Sequence, residues 1–272
     1  MADPRPGARL RIALVQAAAS SDPAANRAAL ARTEVPEADL VVWPEVMQRD
    51  LGRPDEDLLA DAETLDGPFV TELTARAADH GGTWIAGMLE QAEDPELPPY
   101  NTLVVVDRDG LRASYRKIHL YDSFGYRESD RIQGGATTPV AVEVGGFRLA
   151  LMTCYDLRFP ELARAHSKAG ADVLMCPAAW VAGERKVAHW RTLLMARAIE
   201  NLAYVAAAAQ PAPRYCGHSM VVDPRGDVLT EAGEGEEVLV AEVRRELVEE
   251  ARQENPSLLN RLDSIGDPVL LG

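Results

Sequence analysis

The sequence is poor in lysine and cysteine and has no long hydrophobic run. Only three of its 28 basic residues are lysines, and 43 acidic residues give a formal net charge of −15. A chain this acidic repels polyanions, so we expect no nucleic acid and no membrane surface as a partner. No stretch of eighteen apolar residues is present, and residues 1–9 are polar rather than a signal peptide. We therefore expect a cytoplasmic protein.

The scarcity of cysteine excludes several kinds of chemistry. Cys154, Cys176 and Cys216 are too few and too scattered for a disulfide framework, and no Cys-x-x-Cys pair is available for zinc or redox work. The phosphate-binding pattern Gly-x-x-x-x-Gly-Lys-Ser/Thr is also absent. The expectations that remain are free thiols, no metal, no cofactor and a small-molecule substrate.

The 272 residues are 47% hydrophobic, which suffices for a sizeable core. Apolar runs of strand length alternate with helical periodicity, a pattern typical of α/β folds. No polar linker divides the chain, so residues 1–272 are predicted to form one domain with its core at about 9–243. The predicted strands are Leu10–Gln16, Leu40–Trp43, Thr83–Leu89, Asn101–Val106, Leu111–Tyr115, Phe147–Thr153, Asp172–Cys176, Ala203–Ala209, Ser219–Val222 and Val238–Val243, and the predicted helices are Pro23–Thr33, Pro68–His80, Pro160–Gly170 and Arg185–Asn201.

Two internal echoes suggest that the chain has two similar halves. Ala38–Pro44 resembles Ala171–Pro177, and Leu103–Gly110 resembles Met220–Asp227. Chance similarity between apolar strands is the common alternative. Together with the missing linker, the echoes favour two packed sheets within one domain.

Cys154 lies where an apolar strand runs into a predicted helix. The unpaired N–H groups and the positive dipole at a helix N-terminus favour an anion, so this position predicts a lowered thiol pKa and a nucleophile. An inert buried cysteine is the alternative. Glu45 and Lys117 also follow predicted strands, and ligands of α/β sheets bind beyond such strand ends. A carboxylic acid, an amine and a thiol are suited to acyl transfer, in the roles of base, oxyanion partner and nucleophile. The alternatives are that Glu45 only caps a helix and that Lys117 is only a solvent-exposed lysine.

Three segments carry a resemblance to a known family. Val42–Glu45, Tyr115–Asp122 and Cys154–Leu162 resemble the signature segments of the nitrilase superfamily of carbon–nitrogen hydrolases. The similarity runs in order from Arg9 to about Val243. It implies an α-β-β-α sandwich with internal pseudo-twofold symmetry, usually assembled as a homodimer or higher homo-oligomer. The tail, residues 255–272, is a candidate for that interface, and an exposed end without function is its alternative.

The resemblance also implies roles for individual residues. The catalytic glutamate, lysine and cysteine of the family fall on Glu45, Lys117 and Cys154, and its second glutamate falls on Glu128, for which a solvent-facing loop carboxylate is the alternative. Within the superfamily the chain looks most like the Nit-type amidases, which include ω-amidases and deaminated glutathione amidases. The implied reaction is hydrolysis of a small carboxylate-bearing amide through a cysteine thioester, with release of ammonia.

Residues for substrate binding follow from the same reasoning. The Tyr155 backbone N–H is expected to stabilise the oxyanion, and Trp180 is expected to form a pocket wall, with core packing as its alternative. An anionic substrate of an acidic protein needs a local cation. The candidates are Arg127, Arg131, Arg158 and Arg185.

Other functions remain open at this point. A nitrile or an N-carbamoyl amino acid is an alternative substrate, and a non-catalytic binding scaffold is the non-enzymatic alternative. A papain-like Cys–His enzyme has little support, because the local papain signature around the cysteine is absent. The histidines that this alternative would use are His119, His166, His189 and His218.

Overall fold

The computed structural model describes residues 7–262. The strands are β1 (Arg9–Gln16), β2 (Leu40–Val42), β3 (Thr83–Glu90), β4 (Tyr100–Asp107), β5 (Gly110–Arg116), β6 (Asp122–Ser123), β7 (Tyr126–Arg127), β8 (Ala141–Val144), β9 (Phe147–Leu151), β10 (Val173–Met175), β11 (Tyr204–Ala207), β12 (Met220–Val222), β13 (Val228–Glu231) and β14 (Glu237–Arg244). The helices are α1 (Pro23–Arg32), α2 (Pro68–His80), α3 (Pro160–Lys168), α4 (Lys186–Asn201), α5 (Arg245–Glu254) and α6 (Ser257–Asn260), with 3₁₀ turns at Leu59–Asp61, Glu128–Asp130 and Cys154–Arg158.

Local sequence accounts for where the first helices begin. Proline occupies the first position of α1, α2 and α3, where its missing N–H costs no hydrogen bond and its fixed φ suits a helix. Asp22 also caps α1 by accepting from the N–H groups of Ala24 and Ala25. The predicted helix at 185–201 begins one residue late, at Lys186, because Arg185 has a left-handed backbone with φ 61°.

The two halves have the same strand order and the same strand directions. One six-stranded sheet runs β14-β1-β2-β3-β4-β5 and the other runs β8-β9-β10-β11-β12-β13. In each sheet the second, third and fourth strands are parallel, and the remaining neighbours are antiparallel. The sequence echoes fall on equivalent strands, since Ala38–Pro44 contains β2 and Ala171–Pro177 contains β10. The second echo likewise pairs β4 with β12, so the predicted internal symmetry is confirmed.

Three apolar layers give the sandwich. The inner faces of both sheets pack on each other through side chains such as Leu14, Val105, Leu149 and Val173. Helices α1 and α2 cover the outer face of the first sheet, and α3 and α4 cover that of the second. This is the predicted α-β-β-α arrangement. No helix of the described residues is long and apolar enough to cross a bilayer.

The described part of the tail contains α6 and ends at residue 262, and Leu259 and Leu262 are exposed. Residues 263–272, which hold most of the segment suggested for an oligomer interface, lie outside the described residues. The strands β6, β7 and β13 and the helices α5 and α6 were not predicted, and β8 was expected only as the first arm of a hairpin that turns at residues 145–146. β13 is short, partly exposed and lies at a sheet edge, so it has little of the apolar signal that marks a strand.

Candidate active site

Glu45 is placed by the end of β2. The chain after this strand lies against β3, where the Gly87 N–H donates to the Pro44 carbonyl at 3.0 Å. A Cβ at position 87 would lie 2.3 Å from the Val46 nitrogen and 2.6 Å from the Glu45 Cα, so only glycine allows this approach. The Glu45 side chain is 3% exposed, and its Oε2 accepts from the Ala179 N–H at 2.6 Å. Ala179 follows β10, so equivalent ends of the two sheets meet at Glu45.

Lys117 follows β5 and is bonded to two carboxylates. Its backbone N–H donates to the Asn101 carbonyl, which extends the pairing of β4 and β5 by one residue. The ammonium group is 2% exposed and donates to Glu45 Oε1 and Glu128 Oε2, both at 2.8 Å. Burial alone would lower the pKa of Lys117, but the charges of Glu128 and Glu45 raise it well above its ordinary value. Lys117 is therefore a protonated, immobilised cation.

Glu128 is a buried carboxylate rather than a solvent-facing one. The hairpin of β6 and β7 folds back so that Glu128 and Tyr121 exchange hydrogen bonds, with the Tyr121 N–H donating to Glu128 Oε2 at 2.7 Å. Glu128 is 1% exposed. The alternative of an exposed loop carboxylate is thus excluded, and the segment between residues 121 and 127 brings Glu128 to Lys117.

Asn101 is a member of this cluster that the sequence reasoning missed. Its Nδ2 donates to Glu45 Oε1 at 2.8 Å and to Glu128 Oε1 at 3.0 Å, and its side chain is fully buried. Asn101 thus joins the two carboxylates that also bind Lys117. The signal was available as an Asn-Thr pair inside an otherwise apolar strand of a hairpin, but the pattern alone does not show what the amide would contact.

Cys154 occupies a strained turn between β9 and α3. Its φ is +45°, a left-handed conformation that is costly for a residue with a Cβ, and its N–H donates to the Pro177 carbonyl at 3.0 Å. The side chain lies against Glu45 and Lys117. Burial, followed by the charge of Glu45, raises the pKa of this thiol well above its usual range, although Lys117 opposes the shift. The prediction of a lowered pKa is therefore wrong, because it considered the helix terminus and neither burial nor Glu45.

The backbone N–H of the next residue, Tyr155, is a candidate donor for an oxyanion. No acceptor within residues 7–262 takes this N–H, whereas the neighbouring Cys154 N–H is bonded to Pro177. Cys154 and Tyr155 both line a cavity of about 730 Å³, together with Glu45, Lys117 and Glu128. A free backbone donor next to a thiol is suited to stabilising a negative charge that develops there.

Aromatic side chains form much of the cavity wall. Trp180 is 2% exposed, and its ring lies 5.3 Å from that of Trp190. It both lines the cavity and packs on the core, so the two alternatives for this residue coexist. The Tyr121 ring also lines the cavity and stacks on Phe124, which is 67% exposed at the tip of the β6–β7 hairpin.

The four candidate arginines have different surroundings. Arg158 lines the cavity with its guanidinium 4.7 Å from the Trp180 ring, and its Nε and Nη2 are buried without a hydrogen-bond partner in the described chain. Arg185 lines the cavity from an exposed position. Arg131 donates to the carbonyls of residues 51 and 56, and Arg127 pairs with Asp130 at the surface; neither lines this cavity. Arg158 is thus the arginine whose hydrogen-bonding capacity is unused inside the cavity.

The histidines do not support a Cys–His pair. His119 Nδ1 is bonded to Asp156 at 2.7 Å, His166 to the Leu151 carbonyl, and His218 to Glu231. His189 lines the cavity, but the groups that shift the Cys154 pKa are Glu45, Lys117 and Cys176. The arrangement around the thiol is therefore a carboxylate and an ammonium group, which differs from the papain arrangement.

Comparison with known proteins agrees with this geometry. The carbon-nitrogen hydrolase family model matches residues 11–253. The deaminated glutathione amidase of Escherichia coli O157:H7 is 38% identical over 230 residues, covering 83% of this chain and 85% of that protein. Omega-amidase NIT3 of Saccharomyces cerevisiae is 34% identical over 274 residues, covering 91% of each.

A solved structure extends the similarity to the whole described fold. A CN-hydrolase superfamily protein from Xanthomonas campestris, which carries an arsenic adduct in its active site, matches with a TM-score of 0.82 at 32% identity. The match covers 97% of this chain and 99% of that one. The family model, the relatives and the structural match together show that this chain belongs to the carbon–nitrogen hydrolase family, in the Nit-type amidase branch of the nitrilase superfamily.

Proposed function

We propose that this enzyme hydrolyses the amide bond of a small carboxylate-bearing amide through a thioester on Cys154. The observation that carries the proposal is the buried cluster in which Lys117 is bonded to Glu45 and Glu128 beside the thiol, at one end of the cavity. The names of the similar deaminated glutathione amidase and omega-amidase favour a substrate that combines an amide with a carboxylate.

The first step follows from the raised pKa of the thiol. A protonated thiol needs a base beside it, and Glu45 is the carboxylate whose charge raises the pKa of Cys154. Glu45 takes the proton as the sulfur attacks the amide carbon, so that a C–S bond forms and the carbonyl becomes an oxyanion. Lys117 and the Tyr155 N–H stabilise that oxyanion, and since both are held in place they need no reorganisation during the reaction.

The remaining steps use Glu45 a second time. The proton on Glu45 passes to the amide nitrogen as the C–N bond breaks, which releases ammonia and leaves the thioester. Glu45 then takes a proton from water, the hydroxide oxygen attacks the thioester carbon, and the proton returns to the leaving sulfur. The products are a carboxylic acid and the free thiol. Glu128 acts through Lys117 as a positioning residue.

Arg158 is the proposed partner of the substrate's carboxylate. Two of its guanidinium nitrogens are buried without an acceptor in the described chain, and a guanidinium pairs with a carboxylate through two parallel hydrogen bonds. Trp180 supports the guanidinium by stacking against it. We also propose that the enzyme is cytoplasmic. We further propose that it assembles as a homodimer or higher homo-oligomer, and size-exclusion chromatography with light scattering tests this assembly.

Steady-state hydrolysis of a substrate panel tests the proposal. The panel consists of α-ketoglutaramate, succinamate, deaminated glutathione, aliphatic amides, N-carbamoyl amino acids and nitriles, with release of ammonia or amine as the readout. We expect carboxylate-bearing amides to give the highest kcat/KM. Cys154→Ala and Cys154→Ser are expected to abolish turnover. Cys216→Ala, which replaces a cysteine that does not line the cavity, is expected to keep it. Preference for a nitrile or carbamoyl compound would overturn the substrate class, and full turnover by Cys154→Ala would overturn the mechanism.

A further inference from the structure

We infer that Lys186 is a second cation of the substrate-carboxylate site and makes the enzyme selective for anionic over neutral amides. The inference rests on the proposed function and adds to it a specificity-determining residue. Lys186 begins α4 and lines the cavity together with Arg158 and Trp180.

Lys186 is buried without a carboxylate partner. Its residue is 7% exposed, and no carboxylate oxygen within residues 7–262 lies within 4.0 Å of its ammonium group. The chain has 43 acidic residues against 28 basic ones, so acidic partners are abundant. A buried charge is costly unless it is paired. The absence of a pair at Lys186 therefore indicates that its partner is brought by a ligand.

The contacts that Lys186 does make leave donors free. Its Nζ donates to the Tyr121 hydroxyl at 3.0 Å and lies 3.9 Å from the centre of the Phe124 ring and 5.9 Å from that of Trp180. An ammonium group has three N–H donors, and Tyr121 accepts one of them. The aromatic faces attract the positive charge but accept no conventional hydrogen bond. The remaining capacity suits an oxygen anion in the cavity.

Arg158 lies against the same rings as Lys186. Its guanidinium carbon is 4.7 Å from the centre of Trp180 and 5.8 Å from that of Phe124. Burial and the charge of Arg158 both lower the pKa of Lys186, so the two cations destabilise each other. A carboxylate next to both of them would relieve this repulsion.

The other charged side chains that line the cavity either have an ion-pair partner or are exposed to solvent. Glu45 and Glu128 are bonded to Lys117, and Arg214 pairs with Asp50 at 2.8 Å. Glu184 and Arg185 are both exposed and lie next to each other in sequence, where solvent screens them. What remains inside the cavity is the pair formed by Arg158 and Lys186. This wall is cationic although the whole chain is strongly acidic.

A cationic wall discriminates against neutral substrates. A substrate with a carboxylate pairs both cations, whereas a neutral analogue of the same length desolvates them without providing a partner. Succinamate and butyramide form such a matched pair, since the second has a methyl group where the first has a carboxylate. The ratio of their kcat/KM values measures recognition of the carboxylate separately from the chemistry at the amide.

The experiment compares Lys186→Met, Lys186→Arg and the control Lys168→Met, which removes an exposed lysine of α3. We expect Lys186→Met to lower the succinamate-to-butyramide ratio by about 10–100-fold, mainly by raising KM for succinamate, as for the loss of one hydrogen bond to a charged group. Lys186→Arg should keep most of the ratio, and Lys168→Met should keep all of it. If butyramide turns over too slowly for kcat/KM to be measured, its inhibition constant against succinamate is compared with the KM of succinamate instead.

Two results would overturn the inference. An unchanged ratio in Lys186→Met would show that the lysine does not contact the carboxylate. An equal loss for both amides would show that Lys186 only supports the hairpin of Tyr121 and Phe124. A wild-type enzyme that hydrolyses neither amide, nor any other of the panel, would instead contradict the proposed function itself, so the two failures are distinguishable.

Discussion

Replacing Lys117 with methionine tests how the site is held together. The ammonium group is 2% exposed and is bonded to Glu45 and Glu128, which are themselves 3% and 1% exposed. Lys117→Met leaves these two carboxylates buried next to each other, with Asn101 as their shared donor. Removing one partner of a buried ion pair costs about 3–5 kcal/mol, and solvent screening is small at such low exposure. We expect the free energy of unfolding to fall by about that amount.

Urea unfolding followed by circular dichroism measures the loss. Lys168→Met, the exposed-lysine control, should change stability by less than about 0.5 kcal/mol. The double variant Lys117→Met with Glu128→Gln removes one of the two negative charges that repel each other. We therefore expect it to recover part of the lost stability, with a coupling of about 0.5–3 kcal/mol. A loss below about 1 kcal/mol, or strictly additive effects, would refute the view that Lys117 neutralises both carboxylates.

The pH dependence of this loss has a defined sign. Burial opposes protonation of Lys117, but Glu128 and Glu45 raise its folded-state pKa above the ordinary value, which is about 10.4 in an unfolded chain. The stabilisation from protonated Lys117 is therefore complete below about pH 10 and is lost as the pH rises through the folded-state pKa. The part of the difference between wild type and Lys117→Met that comes from this titration should stay constant between about pH 7 and 9.

Other changes near the site have separate expected outcomes. Iodoacetamide should alkylate Cys154, which lines the cavity, before the fully buried Cys176. Because the pKa of Cys154 is raised, the alkylation rate should climb with pH without a plateau below about pH 9, and a pH-independent rate would contradict this. Gly87→Ala should lower kcat/KM by at least about 100-fold by displacing Glu45. Gly233→Ala, whose Cβ meets no atom within 4 Å, should leave kcat/KM unchanged, and equal activities of the two variants would show that the close approach at Gly87 is unimportant. Asn101→Asp adds a third carboxylate to the cluster and should lower kcat by about 10–100-fold with little effect on KM, and a wild-type kcat would argue against the bridge.

The location of the cluster could be predicted because strand ends are visible in sequence. Glu45 follows the apolar strand β2 of one sheet and Cys154 follows the apolar strand β9 of the other, and equivalent ends of the two sheets meet at the cluster. The internal echo between Ala38–Pro44 and Ala171–Pro177 likewise identified equivalent strands, because burial on both faces gives such strands a long apolar signature.

The contacts that surround the cluster could not be predicted in the same way. Asn101, Tyr121 and Lys186 reach the site only through the pairing of a hairpin and the packing of α4, which connect residues far apart in sequence. The pKa of Cys154 was predicted with the wrong sign for the same reason. A helix terminus is visible in the local sequence, but burial and the approach of Glu45, from more than one hundred residues away, depend on the tertiary fold.

Detection of an acyl-enzyme on Cys154 is the decisive test of the proposed thioester mechanism. The enzyme is mixed with succinamate, quenched with acid within the first turnovers and digested, and the peptide that contains Cys154 is analysed by mass spectrometry. We expect a succinyl adduct on Cys154 that hydroxylamine removes, and no such adduct in Cys154→Ala. Turnover of succinamate by the wild type without an adduct on Cys154, or with an adduct on another residue, would contradict it.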